Sequence, residues 1–356
     1  MSSVPSVSET GELPTKKSGR RGCLFYVTRV LKWFGIVLIA LVLLGVAYQA
    51  VAAELDKRAY TPRGQLYTVN GHQMHIVCKG EGSPAVIMQA GASAESLWWY
   101  RVQNQLSEHT RVCAFDRPGM GWSEPVDGSR DALTIDAELH TLLQQVGVSA
   151  PYVVVGHSFG SILTRIYATQ YPLEVTGIVL VDSQLVTPKH FASQNEVAQN
   201  RSYWDVVRML SSAMTRMGLM RLINSGEFQR YGYPADIAQE MTGLQSRNQV
   251  VDAYYAENGP AFPALQEASA AAENLGDLPV AVLWASQTYS LNEANPTLRP
   301  FAEELSTYSS NCVTRFIEGA DHGSILGNEQ YARQVTQTIL DVITSAQTGE
   351  QLTSDG

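Results

Sequence analysis

Apolar residues fall along this chain in two rhythms. Short, nearly continuous runs of Val, Ile, Leu and Ala recur at Ala85–Met88, Arg111–Phe115, Tyr152–Val155, Val175–Val181, Val280–Trp284 and Val313–Ile317. Such runs predict strands buried on both faces, as in a parallel sheet. Between them, Thr134–Val146, Ser161–Ala168 and Glu329–Ile343 carry apolar residues at helical spacing. Gln65–Val69 and His72–Cys78 flank Asn70-Gly71, a strong hairpin signal. Strands alternating with helices imply βαβ units and a mostly parallel sheet, with the opening hairpin as an antiparallel edge.

One apolar run has a different character. Trp33–Ala53 is 21 residues without a charge, bounded by Lys32 and Glu54. At about 1.5 Å per residue it reaches roughly 32 Å, enough to cross a hydrocarbon core of about 30 Å. It has no polar face, which argues against a buried helix of a soluble domain. Ala50-Val51-Ala52 fits a small-x-small cleavage site, so a cleaved signal peptide is the alternative to an anchor. Residues 1–32 read as a disordered basic tail. Their positive charge ahead of the span predicts a cytoplasmic N-terminus, a transmembrane helix over 33–53, and residues 54–356 on the far side.

The stretch between the Val181 and Val280 strands is rich in helix formers and contains Trp204, Val207, Met209, Met214, Met217, Leu219, Met220 and Leu222. One face of it is expected to pack as an inserted helical layer. Another is expected to form a cap with a flexible apolar lining. The expected division is 54–183 for the first part of the core, 184–278 for the cap, 279–346 for the second part of the core, and 347–356 for a disordered C-terminal tail.

Chemistry concentrates at Gly156-His157-Ser158-Phe159-Gly160. The stretch follows a strand and opens a helix, the context in which G-x-S-x-G forms a nucleophile elbow. Glycines two residues either side of the serine admit the sharp turn. The helix N-terminus behind Ser158 favours developing negative charge. Three further stretches follow strands: Gln89-Ala90-Gly91-Ala92-Ser93, Asp116-Arg117-Pro118-Gly119-Met120-Gly121-Trp122-Ser123, and Gly319-Ala320-Asp321-His322-Gly323.

Across about residues 60–345 these motifs resemble the α/β-hydrolase superfamily, in its cap-bearing serine esterase and peptidase-like branch. The resemblance implies an α/β fold with a mostly parallel eight-stranded sheet, helices on both faces and a lid inserted after strand six. It gives Ser158 the nucleophile's role and His322 the base's. It implies an oxyanion hole from the backbone N–H groups of Phe159 and Ala92, although the family's usual His-Gly-x is here Ala90-Gly91-Ala92. Asp116 and Arg117 are expected to fix the loop beside the site. His157 reads as structural, and His72, His75, His109, His140 and His190 show no motif.

The acid of a triad is open between two positions. Many relatives carry it after strand seven, where this chain reads Leu283-Trp284-Ala285-Ser286-Gln287-Thr288, with Glu293 a few residues on. Others carry it directly after strand six, which here is Asp182. Asp182 is the expected acid: it sits on a rigid strand end, whereas the longer Glu293 would lose more freedom on being positioned. Serine as nucleophile disfavours the dehalogenase and epoxide-hydrolase chemistry that relatives perform with a carboxylate. Acyl transfer to water remains, and the apolar cap and anchor lean towards an apolar carboxylic ester. A catalytically inactive binding or scaffold protein, or an acyltransferase, are the alternatives.

Charge and cysteines refine this picture. Of the formal net charge of −9, residues 1–32 hold +4, from six Lys and Arg against Glu9 and Glu12; the remainder holds −13. An acidic body argues against a nucleic-acid partner. No metal-ligand cluster or cofactor motif stands out, and no cofactor is expected. In the fold that the resemblance implies, the strands of Cys78 and Cys113 are neighbours. An extracytoplasmic location permits a disulfide between them, which leaves Cys23 and Cys312 unpaired.

Overall fold

Eight strands form one sheet in the computed structural model, which describes residues 19–128, 130–183, 201–259, 262–272, 274–293 and 303–353. They are β1 (Gln65–Val69), β2 (His72–Lys79), β3 (Ala85–Gln89), β4 (Val112–Phe115), β5 (Tyr152–His157), β6 (Val175–Val181), β7 (Val280–Ala285) and β8 (Cys312–Ile317). The spatial order is β1-β2-β4-β3-β5-β6-β7-β8. β2 runs antiparallel to β1 and β4, and every other pairing is parallel. Among the described residues the helices are α1 (Gly19–Ala59), α2 (Tyr100–Leu106), α3 (Ala132–Val146), α4 (Phe159–Gln170), α5 (Arg201–Arg216), α6 (Leu219–Ile223), α7 (Glu227–Arg230), α8 (Ala235–Gln245), α9 (Asn248–Asn258), α10 (Phe262–Ala271), α11 (Ser286–Glu293), α12 (Ser324–Gly327) and α13 (Glu329–Thr348).

The continuous apolar runs are continuous because both faces of the sheet are covered. Val86, Met88, Val153 and Val155 pack with Trp99, Val102 and Leu106 near α2 and with Val335, Ile339 and Val342 of α13. Their alternates Ile87, Cys113, Phe115 and Val154 pack with Leu139, Leu142 and Leu143 of α3 and Tyr167 of α4. Each such large side chain contributes about 1.5–3 kcal/mol by leaving water. Local signals set the ends of α3: Asp131 accepts a hydrogen bond from the Thr134 N–H, and Gly147 closes the helix at φ 68°. Cys78 stands directly opposite Cys113 across β2 and β4, and the two form a disulfide. Cys312 is a free thiol.

Between β6 and β7, helices α5 to α10 form the inserted layer. Residues 184–200, which open the expected cap, lie outside the described residues, as do 1–18 and 354–356. Two expected boundaries are corrected. The basic tail is not disordered up to 32: α1 runs over Gly19–Ala59, so residues 19–32 continue the expected span 33–53 as helix. The C-terminal stretch is not disordered from 347. α13 continues to Thr348, the Leu352 N–H donates to Asn311 Oδ1, and Arg315 donates to the Thr353 carbonyl.

α1 is long and apolar enough to cross a membrane: within Phe25–Ala59 an 18-residue window has a mean hydropathy of 2.5. Its C-terminal part packs on the cap. A side chain added at Gly45 would put Cβ 2.6 Å from the Met217 carbonyl oxygen. Gln49 Nε2 donates to the Ser246 carbonyl, and Arg221 donates to Gln49 Oε1 and Asp56 Oδ2.

Candidate active site

The turn from β5 into α4 holds Ser158 at φ 54° and ψ −120°, a conformation L-residues rarely adopt. The flanking glycines make the turn possible. A Cβ at Gly156 would lie 2.3 Å from the Gly160 carbonyl oxygen, and one at Gly160 would lie 2.2 Å from that of Gln89. The Ser158 N–H donates to the Val181 carbonyl, which ties the turn to the end of β6.

Asp182 follows at that strand end, also at positive φ (42°). Its N–H donates to the Leu283 carbonyl and its Oδ1 accepts from the Ala285 N–H, both on β7. The other oxygen, Oδ2, lies 2.6 Å from His322 Nδ1. The carboxylate is fully buried while the imidazole is 47% exposed, so the pair faces solvent through the histidine. The structure thus brings Asp182 and His322 together across 140 residues of sequence. Ser286 begins α11 immediately after β7, so Thr288 lies in its first turn and Glu293 closes it. The Glu293 side chain lies outside the described residues.

Ala92 lies in the loop after β3. A Cβ at the preceding Gly91 would sit 3.2 Å from Ser158 Cβ, so this loop abuts the Ser158 turn. Arg117 braces it: Nη1 and Nη2 each donate at 2.7 Å, to the carbonyls of Ala90 and Gly91. The same guanidinium pairs with Glu257 of α9 and lies over the Phe159 ring, 5.4 Å from its centroid. Asp116 next to it accepts from the N–H groups of Ser96 and Trp122 and from His75 Nδ1. Burial alone would raise its pKa, but the His75 interaction and these hydrogen bonds hold it below the usual range. The expected loop-fixing roles of Asp116 and Arg117 match these contacts, and His75 joins them without any sequence motif.

His157 does more than fill space. Its Nε2 donates to the His322 carbonyl at 3.0 Å, and its ring lies 4.5 Å from the His322 ring. On another side Trp98 stacks at 5.8 Å. Burial, with His322 nearby, holds the His157 pKa well below its ordinary value, so the ring is neutral. Glu95, also fully buried, is pushed up to about 8, first by desolvation and then by Asp116, against a hydrogen bond from Gln245 of α8.

Above the loop, Ser93 lines a cavity of about 340 Å³ with Trp204, Val207, Met220, Val250 and Tyr254 of the cap. Among the described residues no cluster of His, Cys, Asp and Glu has metal-binding geometry.

Known proteins resemble this arrangement to different extents. A family model for the alpha/beta hydrolase fold matches residues 84–223. An uncharacterized protein of Schizosaccharomyces pombe is 33% identical over 156 residues, 35% of this chain and 29% of that protein. Monoacylglycerol lipase ABHD6 of Homo sapiens is 21% identical over 271 residues, 74% of this chain and 76% of that protein. The matches to several other curated relatives span less than half of those proteins' lengths. Among solved structures, a putative epoxide hydrolase from Pseudomonas aeruginosa aligns with TM-score 0.63 at 21% identity, covering 80% of this chain and 96% of that one. A thermophilic esterase from Thermogutta terrifontis aligns with TM-score 0.55 at 19% identity, covering 80% and 99%. At these identities the structural likeness is one of fold.

Proposed function

The chain belongs to the α/β-hydrolase superfamily, and from that premise we propose that it is a membrane-anchored serine hydrolase cleaving a carboxylic ester or related acyl substrate. The observation that carries this reading is the 2.6 Å contact of His322 Nδ1 with Asp182 beside a serine held at φ 54°. Ser158 Oγ attacks the acyl carbonyl, and His322 Nε2 takes its proton. Asp182 accepts from Nδ1–H, fixing the tautomer and stabilising the imidazolium. The oxyanion is held by the N–H groups of Ala92 and Phe159, both steadied by Arg117. The proton then passes from Nε2 to the departing alkoxide, leaving an acyl-enzyme. Water, deprotonated by His322, attacks the acyl carbon, and the Nε2 proton then passes to Ser158 Oγ as its bond to the acyl group breaks, releasing the acid and free Ser158.

A serine nucleophile separates this chemistry from epoxide opening, despite the fold shared with an epoxide hydrolase. The cavity beside Ser93, where Trp204, Val207, Met220, Val250 and Val251 give an apolar wall beside polar groups such as Arg208 and Glu227, and the lipase named among the relatives favour an acyl ester with an apolar part. α1 supplies the anchor, with Arg20, Arg21, Arg29 and Lys32 ahead of the span on the cytoplasmic side and the catalytic domain on the other.

Fluorophosphonate labelling of the full chain tests the reading. Wild type is expected to label and Ser158→Ala not to. Folded wild-type protein that fails to label would leave a binding or scaffold role. The anchor predicts retention in membranes through alkaline extraction; a soluble chain beginning near Ala53 would replace it with a cleaved signal.

A further inference from the structure

The cap carries an apolar face that the enzyme site does not use. Val206, Met209 and Leu210 on α5 and Leu219, Leu222 and Ile223 on α6 are each 40% exposed or more. The face is continuous with α1. Gly218, which joins α5 to α6, lies against Tyr48, and the Met217 carbonyl lies against Gly45. Residues from the inner side of α5, including Val207, Ser211 and Thr215, line the 340 Å³ cavity. One helix therefore separates the cavity from the exposed apolar face.

The length of α1 fixes where that face lies. Counted from Lys32, a hydrocarbon core of about 30 Å takes about 20 residues at 1.5 Å each, so its far boundary falls near Ala52. Contact with the cap begins at Gly45, seven residues earlier. That stretch, about 10 Å of helix, lies beside the cap. Gln49 in this stretch turns inward to bond Ser246 and Arg221, and Asp56, one turn further on, also bonds Arg221. The flanking cap surface is the apolar one.

We infer that the outer face of α5 and α6 is seated at the headgroup–acyl boundary of the bilayer, dipping into its acyl side, and that the cavity behind it draws its acyl ester from the membrane. The depth, about 10 Å, is that at which amphipathic helices bury their apolar face. This rests on the anchor reading of α1, and its occupant is the lipid surface itself.

The test uses the full chain in phosphatidylcholine vesicles carrying nitroxide-labelled lipids, in a Cys23→Ser, Cys312→Ser background that keeps the disulfide. An environment-sensitive fluorophore is placed through Val42→Cys, Met209→Cys, Leu222→Cys or Leu173→Cys. Quenching is expected at Val42 by deep nitroxides, at Met209 and Leu222 by shallow ones, and not at Leu173 in the α4–β6 turn. Quenching at Val42 with Met209 and Leu222 behaving like Leu173 overturns the inference and leaves the anchor standing. No quenching at Val42 overturns both. In parallel, the combined Met209→Ser, Leu210→Ser, Leu222→Ser, Ile223→Ser variant is expected to keep its rate on a soluble short-chain ester. On a long-chain ester presented in vesicles it is expected to slow roughly tenfold or more. Equal rates on both substrates overturn the inference.

Discussion

His157 Nε2 donates to the main-chain carbonyl of His322 while the two imidazoles lie 4.5 Å apart. The residue beside the proposed nucleophile thus positions the loop of the proposed base. Removing that donor frees the loop without touching either reacting group. His157→Ala is expected to lower kcat about 10²-fold, the cost of a misplacement near 1 Å, with KM little changed. His157→Gln, which retains an N–H donor, is expected to recover part of the loss. Equal activity of His157→Ala and wild type on one activated ester would reduce His157 to a packing residue.

Arg117 spans two carbonyls, a carboxylate and an aromatic face, a task fitted to a planar fork. Arg117→Lys keeps a cation near Glu257 but cannot hold Ala90 and Gly91 together. Its kcat is expected to fall about 10–100-fold, somewhat less than the roughly 10²–10³ lost with an oxyanion donor itself. Arg117→Ala strands the buried Glu257 and is expected to cost about 3–5 kcal/mol of stability in denaturant titration. An Arg117→Lys enzyme with unaltered kcat would remove Arg117 from the oxyanion support.

Glu95 makes a pH prediction of defined sign. Its folded pKa of about 8 lies above the ordinary carboxylate value, so the folded chain holds a proton that the unfolded chain has lost. The stability this provides is complete below about pH 4.5 and declines as pH rises to about 8, by up to about 1.4 kcal/mol per pH unit. Glu95→Gln removes that decline. The stability difference between variant and wild type, from denaturant titrations across this range, is expected to move in the variant's favour as pH rises. A constant difference would show that Glu95 titrates normally.

The parts of this arrangement legible in sequence were those written locally. Val153, Val154 and Val155 announce a strand, Gly156 and Gly160 a turn, and Asn70-Gly71 a hairpin, because each pattern reflects sterics within a few residues. Asp182 could be weighed against Glu293 because a strand end holds a short side chain rigidly. What could not be read depends on distance. Arg117 meets Glu257 across 140 residues, and His157 meets His322 across 165. No periodicity encodes such contacts. The packing of Gly45 and Gln49 on the cap was hidden for the same reason, in a run whose composition signals only a membrane. The missing histidine before Gly91 was a usable sign that another group must brace that loop, and Arg117 does so from the next strand's end.

Asp182 is the remaining test, because its role decides whether the site works as a triad. Asp182 Oδ2 faces His322 Nδ1, and Oδ1 is already engaged by the Ala285 N–H. In Asp182→Asn the amide oxygen keeps the bond to Ala285, which turns the NH2 group towards His322. Nδ1 must then accept, so Nε2 carries the ring proton and cannot take one from Ser158. The fold should survive, since the size and the β7 contact are retained. Turnover is expected to fall about 10⁴-fold, as when a triad loses its acid. Glu293→Gln is expected to change it little. Both are compared with wild type on one activated ester, using protein shown to be folded by its thermal transition. The reverse ranking would move the acid to Glu293. Full activity in both would mean that Ser158 and His322 act as a pair, with Asp182 serving only to fasten β6 to β7.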